Sequence, residues 1–386
     1  MRLKSLEYKE FVGAEPEWRL EGLSLGPINL IVGKNATGKS RVINVISGLG
    51  RLLSGQMKEV AISGSFHVFF EDGSRRLEYD LEVETLHVVR ESFSIDGQTV
   101  LQRGRGGSGK IRAQDIEGEA RDMRFQTTDR ELAVVARRDE IQHPFLQPLH
   151  DWGASVLHFE FGKGMGHGNL GLAVKVSMPQ PENIERDQVV LLLGDGQKRF
   201  GDAFSRAVIA DMQHVGYDLE ELKVAPPLHL RLLTPLPGDL VGVATKERSL
   251  RCFTDQPSMA QGMFRALSLL IQLNYALMRR KPACVLIDDI GEGLDFERAC
   301  DLVGLLREKA LENDFQLVMS TNDRFVMNKV PLKEWAVLQR EGQVVRVRNY
   351  VNSREAFEEF EFTGLSNFDF FATDYLTQEV EEAARP

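Results

Sequence analysis

The chain has 386 residues, 42% of them hydrophobic and 27% charged, with a formal net charge of −10 at pH 7. That length fits one or two domains with a sizeable core, and the acidic balance argues against a surface coated for nonspecific nucleic-acid binding, although a local basic groove can sit inside an acidic total. No apolar run approaches the roughly 18 residues of a membrane-spanning helix, the start MRLKSLEYKEF is too polar for a signal peptide, and Cys252, Cys284 and Cys300 lack C-x-x-C spacing, which fits reduced thiols in a cytoplasmic protein.

Residues 1–11 alternate roughly apolar and polar (Leu3, Leu6, Tyr8, Phe11) and read as a first strand. Residues 18–20 and 23–25 suggest a hairpin. The run Ile28-Asn29-Leu30-Ile31 reads as a strand that enters VGKNATGKSR, and a helix follows from Ser40 to about Leu53, ending in the Ser54-Gly55 turn. Gly33, Gly38, Lys39 and Ser40 fit G-x-x-x-x-G-K-[ST]. In that frame the backbone N–H groups of Gly33, Lys34, Asn35, Ala36, Thr37 and Gly38, with the positive end of the helix, form an anion cradle. Lys39 reaches the β/γ-phosphates of a nucleotide, Ser40 holds Mg²⁺, and Arg41 flanks the site.

Residues 61–103 turn to a period of two, with breakers at Glu71-Asp72-Gly73-Ser74 and Asp96-Gly97, and read as an antiparallel, strand-rich layer. RGRGGSGK, residues 103–110, reads as a flexible hairpin tip, with a phosphate or nucleic-acid contact as the alternative. Residues 132–138 look like a strand, and 141–152 like a turn and a short helix. His143, His150 and His158 lack metal-ligand spacing. FEFGKGMGHGN, residues 159–169, reads as a mobile loop; 182–215 as helical; and 228–233 and 240–243 as strands. No sustained heptads and no internal repeat occur.

The second strong signal is CVLIDDIGEGLD, residues 284–295. An apolar strand ends in Asp288, whose carboxylate suits a Mg²⁺ sphere shared with Ser40. Asp289 stands where phosphate-loop ATPases often carry a glutamate that polarises the attacking water, and Glu292 is the rival base. Between the two motifs, Gln261-Gly262 precedes a helix with Phe264, Leu267, Leu270, Ile271 and Leu273 on its apolar face; amides at such a helix start bind phosphate. FQLVMS, residues 315–320, reads as a strand ending in Thr321-Asn322-Asp323, where Asn322 can sense a γ-phosphate by hydrogen bonding. After two further strands around Glu341-Gly342, the tail FEEFEFTGLSNFDFF is aromatic and acidic, open to packing on the core or docking a partner.

GKNATGKS, QGMFRALSLL, IDDIGEGLD and STNDRF, in that order, resemble ABC-type ATPases of the SMC/RecF group, and more narrowly the stand-alone bacterial AAA-15/AAA-21-like (overcoming-lysogenization-defect-like) ATPases. The resemblance implies an α/β, P-loop NTPase fold: a two-lobed ABC-type head with an antiparallel β-rich lobe and a helical lobe, without a long coiled coil. It implies one head over 1–386, with a nucleotide core at 1–60 and 280–350, a β-rich insertion at 61–180, a helical signature lobe at 181–279 and an acidic aromatic tail at 351–386. Two such heads sandwich two ATP molecules with Mg²⁺, so a homodimer or higher homo-oligomer is expected. The signature residues Ala260, Gln261, Gly262 and Arg265 then act on the partner's nucleotide. Family members serve anti-phage defence beside a separate effector, a nuclease or toxin, or act in DNA repair. Here Ala260 replaces the signature serine, Asp289 the glutamate and Asn322 the switch histidine. One lost hydroxyl contact costs about 0.5–1.5 kcal/mol, and together the three departures imply slow hydrolysis suited to a switch or scaffold, or a non-hydrolysing scaffold. No glutamine loop is evident. A DNA-binding role would need a basic surface, best supplied by Arg103, Arg105, Lys110, Arg112, Arg121 and Arg124.

Overall fold

The computed structural model describes residues 1–57, 63–114, 120–173, 188–228, 238–373 and 375–376. Strand β1 (Arg2–Glu10) leads to β2 (Trp18–Ser24), β3 (Ile28–Gly33) and helix α1 (Lys39–Leu53). Leu3, Leu6 and Tyr8 all face inward despite their uneven spacing, because the pairing with β4 (Ser63–Asp72) slips one residue between Leu3 and Ser5. Six antiparallel strands follow: β4 (Ser63–Asp72), β5 (Arg75–Glu84), β6 (His87–Ile95), β7 (Gln98–Arg103), β8 (Ser108–Gln114) and β9 (Ala120–Gln126). Then come α2 (Ala133–Ala136), α3 (Gln147–Ser155), β10 (Val156–Glu160), β11 (Gly171–Ala173), α4 (Val189–Phe200), α5 (Asp202–His214), β12 (Leu219–Ala225), β13 (Asp239–Glu247) and the two-residue β14 (Thr254–Asp255). The last part carries α6 (Gln261–Arg279), β15 (Cys284–Asp288), α7 (Phe296–Asn313), β16 (Gln316–Ser320), α8 (Arg324–Lys329), β17 (Trp335–Glu341), β18 (Val344–Asn349), α9 (Arg354–Glu361) and α10 (Asn367–Ala372).

One 14-stranded sheet runs β10-β15-β16-β3-β17-β18-β2-β1-β4-β5-β6-β7-β8-β9. Its first five strands are parallel, so their C-terminal ends share one edge. Such strands are buried on both faces and need apolar side chains in both directions. Leu30, Val32, Val285, Ile287, Leu317 and Met319 point into a core built with α6, α7 and the tail; Ile31, Cys284, Leu286 and Val318 point into the opposite core, built with α1 and α3. Helix α6 is buried from Gly262 to Tyr275, as a helix enclosed on all sides must be. Its polar side chains are satisfied: Asn274 Nδ2 donates to Asp211 at 2.6 Å, and Asp211 also pairs with Lys309 at 2.9 Å. A second, smaller sheet is formed by β11, β13 and β12, with β14 beside β13.

Several sequence expectations change. Residues 18–25 do not fold as a hairpin: β2 is continuous, and Gly22, at φ 77°, absorbs the extra residue between Leu20 and Leu23. Residues 132–138 are not a strand. The buried Glu91 carboxylate accepts the N–H groups of Ala133 (2.7 Å) and Val134 (3.0 Å) and starts α2 instead. The helical stretch to Val215 is two helices, interrupted at Gly201 (φ 61°); its first part, and all but Leu228 of the strand expected at 228–233, lie outside the described residues. The tail packs on the core: Phe357, Phe360 and Phe370 are buried, with Phe370 edge-on to Trp335 at 6.5 Å.

Candidate functional site

Strand β3 lies between β16 and β17, so the loop after Gly33 emerges at the edge where the parallel strands end. A Cβ at Gly33 would come within 2.5 Å of Thr37 Oγ1, so only glycine lets the loop close this tightly. Ala36 and Gly38 turn it with φ of 63° and 105°. Thr37 Oγ1 donates to the Lys34 carbonyl at 2.8 Å, and Arg340 Nη1 reaches across from β17 to the Ala36 carbonyl at 3.0 Å. No side chain caps the start of α1, so its amides remain open toward the loop. Lys34, Asn35, Ala36, Ser40 and Arg41 are exposed. The Lys39 ammonium is buried and folds over the loop, donating to the Gly33 carbonyl at 2.8 Å. Burial holds its pKa below the ordinary value, and the nearby Asp289 and Asp288 carboxylates oppose that shift. Arg41 pairs with Glu10 and lies over the Trp18 ring at 4.5 Å.

Asp288 ends β15, one strand beyond β16, in register with Glu160 of β10. Ser320 Oγ donates to Asp288 Oδ1 at 2.5 Å and accepts from the Asp289 N–H at 2.9 Å. Asp289 is held at φ 53°, a left-handed conformation costly for a non-glycine residue. Its carboxyl pKa is raised, first by burial and then by Asp288, with Lys39 opposing and Glu292 adding. Asn322 Nδ2 lies 3.4 Å from Asp289 Oδ1. Glu292 is exposed, and its backbone N–H donates to the Asp289 carbonyl at 3.2 Å. The Ser40 hydroxyl and the Asp288 carboxylate are hard oxygens of the kind Mg²⁺ takes; β15, β16 and β3 run parallel side by side, so the two motifs emerge at one edge, where the aspartate carboxylates oppose the lowering of the Lys39 pKa.

At the start of α6, Ala260 and Gln261 are exposed and no side chain caps the helix. Gly262 abuts the turn after β15: a Cβ there would stand 2.2 Å from the Gly293 carbonyl oxygen. Arg265 does not face outward, as a role on a partner's nucleotide would require. It is buried and donates to the carbonyls of Lys163 (3.0 Å), Glu292 (2.8 Å) and Gly162 (3.1 Å). The loop expected to be mobile after β10 is therefore clamped. Gln256 Nε2 also lies within hydrogen-bond distance of the carbonyls of Gly166, His167 and Asn169, at 3.1, 3.0 and 2.9 Å, and shares its two protons among them.

The sequence reading missed Ser320, Arg340 and the β10 tip. Ser320 carried a faint signal, a small hydroxyl residue closing an apolar strand; Arg340 carried none, lying 304 residues from its loop partner. Of the basic set proposed for DNA, Lys110, Arg121 and Arg124 are exposed on β8 and β9, and the other three are paired with acids. Arg103 is fully buried against Glu91 at 2.8 Å, Arg105 pairs with Glu84, and Arg112 faces Asp122 at 3.9 Å.

No protein-family model matches the chain, and no curated protein does. Solved structures of similar fold include an Smc head bound to the C-winged helix domain of ScpA, with 13% identity, 90% of this chain and 97% of that one covered, and a TM-score of 0.52. Another is the Smc head domain with an extended coiled coil bound to the C-terminal domain of ScpA derived from Pyrococcus furiosus, with 12% identity, 93% and 99% covered, and a TM-score of 0.50. The chain has an SMC-head-like fold: mixed α/β, a large sheet with helices on it, and a phosphate loop where the central strand ends.

Proposed function

We propose that the chain is an ABC-type ATPase head that binds ATP with Mg²⁺, dimerises around it, hydrolyses it slowly and signals to a partner protein. The observation that carries this reading is the convergence of Lys39, Asp288 and Asp289 at the edge where the parallel strands end. The residue ranges of core, β-rich insertion, signature lobe and tail given above are its working division.

The loop amides from Gly33 to Ser40 and the Lys39 ammonium bind the phosphates. Ser40 and Asp288 are the residues to hold Mg²⁺, which neutralises charge on the β/γ-phosphates when bound. Asp289 accepts the proton of the attacking water; its raised pKa suits a base, and its shorter reach than glutamate fits slow turnover. Asn322, 3.4 Å from that carboxylate, reports the γ-phosphate. Ala260, Gln261 and Gly262 present the α6 start to a second copy, while Arg265 holds that start in place within its own chain.

The kinship with AAA-15/AAA-21-like ATPases, the anti-phage role and a nuclease or toxin effector rest on motif resemblance. Partner binding is supported by the ScpA segments on the two similar heads. Among the described residues no helix is long and apolar enough to cross a membrane, and we assign the protein to the cytoplasm. Calorimetric ATP titration with Mg²⁺ tests the reading: wild type binds, and Lys39→Ala binds about 10- to 100-fold more weakly. Wild type that ignores ATP refutes it. Wild type and Asp289→Ala equally inactive in turnover, with ATP still driving dimerisation, would assign a non-hydrolysing scaffold.

A further inference from the structure

Both aspartates of the site depend on one residue outside the recognised motifs. Ser320, at the end of β16, is fully buried. Its hydroxyl has one proton. Asp288 Oδ1 lies 2.5 Å away and can only accept from it when ionised, while the Asp289 N–H, 2.9 Å away, can only donate to it. The two bonds therefore fix one direction: the proton goes to Asp288 and a lone pair takes the amide. The Ser320 carbonyl adds a third tie, accepting the Ile290 N–H at 2.8 Å. Between these bonds sits Asp289, at φ 53°. A non-glycine residue stays in that region only when its surroundings over-determine it, and Ser320 supplies two of the bonds that do so. Asp288 Oδ2, by contrast, has no hydrogen-bond partner among the described residues. The carboxylate is thus oriented through one oxygen, and the other is left available.

We propose that Ser320 is a positioning residue that presets the Asp288 carboxylate for Mg²⁺ and the backbone of Asp289 for the water-activating role; this rests on the ATP-binding reading above. The link also joins the site to its sensor strand. Asn322 is two residues beyond Ser320, so a shift of the β16 tip moves Asp288, Asp289 and Asn322 together. Ser320→Ala preserves the strand, frees the Asp288 carboxylate to rotate and leaves the Asp289 N–H without its acceptor.

The test is a fluorescence titration of the full chain with methylanthraniloyl-ATP, first in EDTA and then across a Mg²⁺ series. Outer-shell partners of a metal ligand typically change metal affinity by about 10- to 100-fold. Ser320→Ala is expected to raise the Mg²⁺ concentration for half-effect by about tenfold or more, to leave binding in EDTA within about twofold, and to be rescued by Ser320→Thr. In an Asp288→Ala background, Ser320→Ala should add no further Mg²⁺ defect, because the hydroxyl acts through that carboxylate. If Ser320→Ala loses its cooperative melt, Ser320→Cys, close in size and a weaker donor, replaces it with the same expected direction. An unchanged Mg²⁺ dependence in the folded variant, or an equal loss in EDTA and in Mg²⁺, overturns the proposal while the ATP-binding reading stands. Wild type that binds no nucleotide in either condition overturns that reading and this proposal with it.

Discussion

Replacing Arg265 separates a clamp within one chain from a contact between two. Its guanidinium makes three hydrogen bonds to backbone carbonyls of two loops, at 2.8, 3.0 and 3.1 Å, and the residue is 7% exposed. Hydrogen bonds to a charged group are worth about 1.5–3 kcal/mol each. They share one donor group and are not additive, so Arg265→Ala should cost about 3–5 kcal/mol, a large part of a typical stability of about 5–15 kcal/mol. The assay is thermal unfolding by circular dichroism without nucleotide, at a concentration where the chain is monomeric. A drop of several degrees is expected, along with faster amide exchange in the loop after β10. If Arg265 served a nucleotide on another subunit, the nucleotide-free monomer would melt as wild type does. An unchanged melting temperature would refute the clamp.

Asp289 sets a pH dependence. Its carboxyl pKa is raised in the fold, so the folded state binds more protons than the unfolded state between the ordinary aspartate range and the raised value. Stability contributed by this group therefore falls as pH rises through that window, and Asp289→Asn should raise the melting temperature at neutral pH but not in acid below the window. Turnover should rise with pH over the same window in wild type and lose that limb in Asp289→Asn. Lys39→Ala should weaken ATP binding by about 10- to 100-fold, the loss of a charge-assisted phosphate contact, as read by calorimetry. Arg103→Ala strands the fully buried Glu91 carboxylate; breaking a buried pair costs about 3–5 kcal/mol, seen as a lower melting temperature and faster exchange across β6 and β7.

The parallel core was legible because its chemistry is local. Gly33, Gly38 and Lys39 sit at fixed spacing between two apolar runs, and an all-apolar strand before Asp288 can only be a buried one. The outer antiparallel strands showed their period of two as far as Arg103. Strand β9 did not, because its described side chains are almost all exposed and no core imposes an alternation on it. The failures share a cause: a distant side chain settles the local backbone. Residues 132–138 have strand-like composition, yet Glu91, some forty residues earlier, turns Ala133 and Val134 into a helix start. Glycines at 164, 166 and 168 suggest mobility, but Gln256 and Arg265 hold that loop through its carbonyls. At the site, the motifs picked out Lys39, Asp288 and Asp289, while Ser320 and Arg340, which hydrogen-bond to the aspartates and to the loop, follow no spacing rule.

The measurement closest to the central claim is the mass of the chain in solution, by light scattering after size exclusion, with and without ATP and Mg²⁺. With Asp289→Asn slowing any hydrolysis, ATP and Mg²⁺ should double the mass, ADP should not, and adding Lys39→Ala should abolish the change. A mass that stays constant at saturating ATP and Mg²⁺ would contradict the account of a head that closes on a second copy around shared nucleotide.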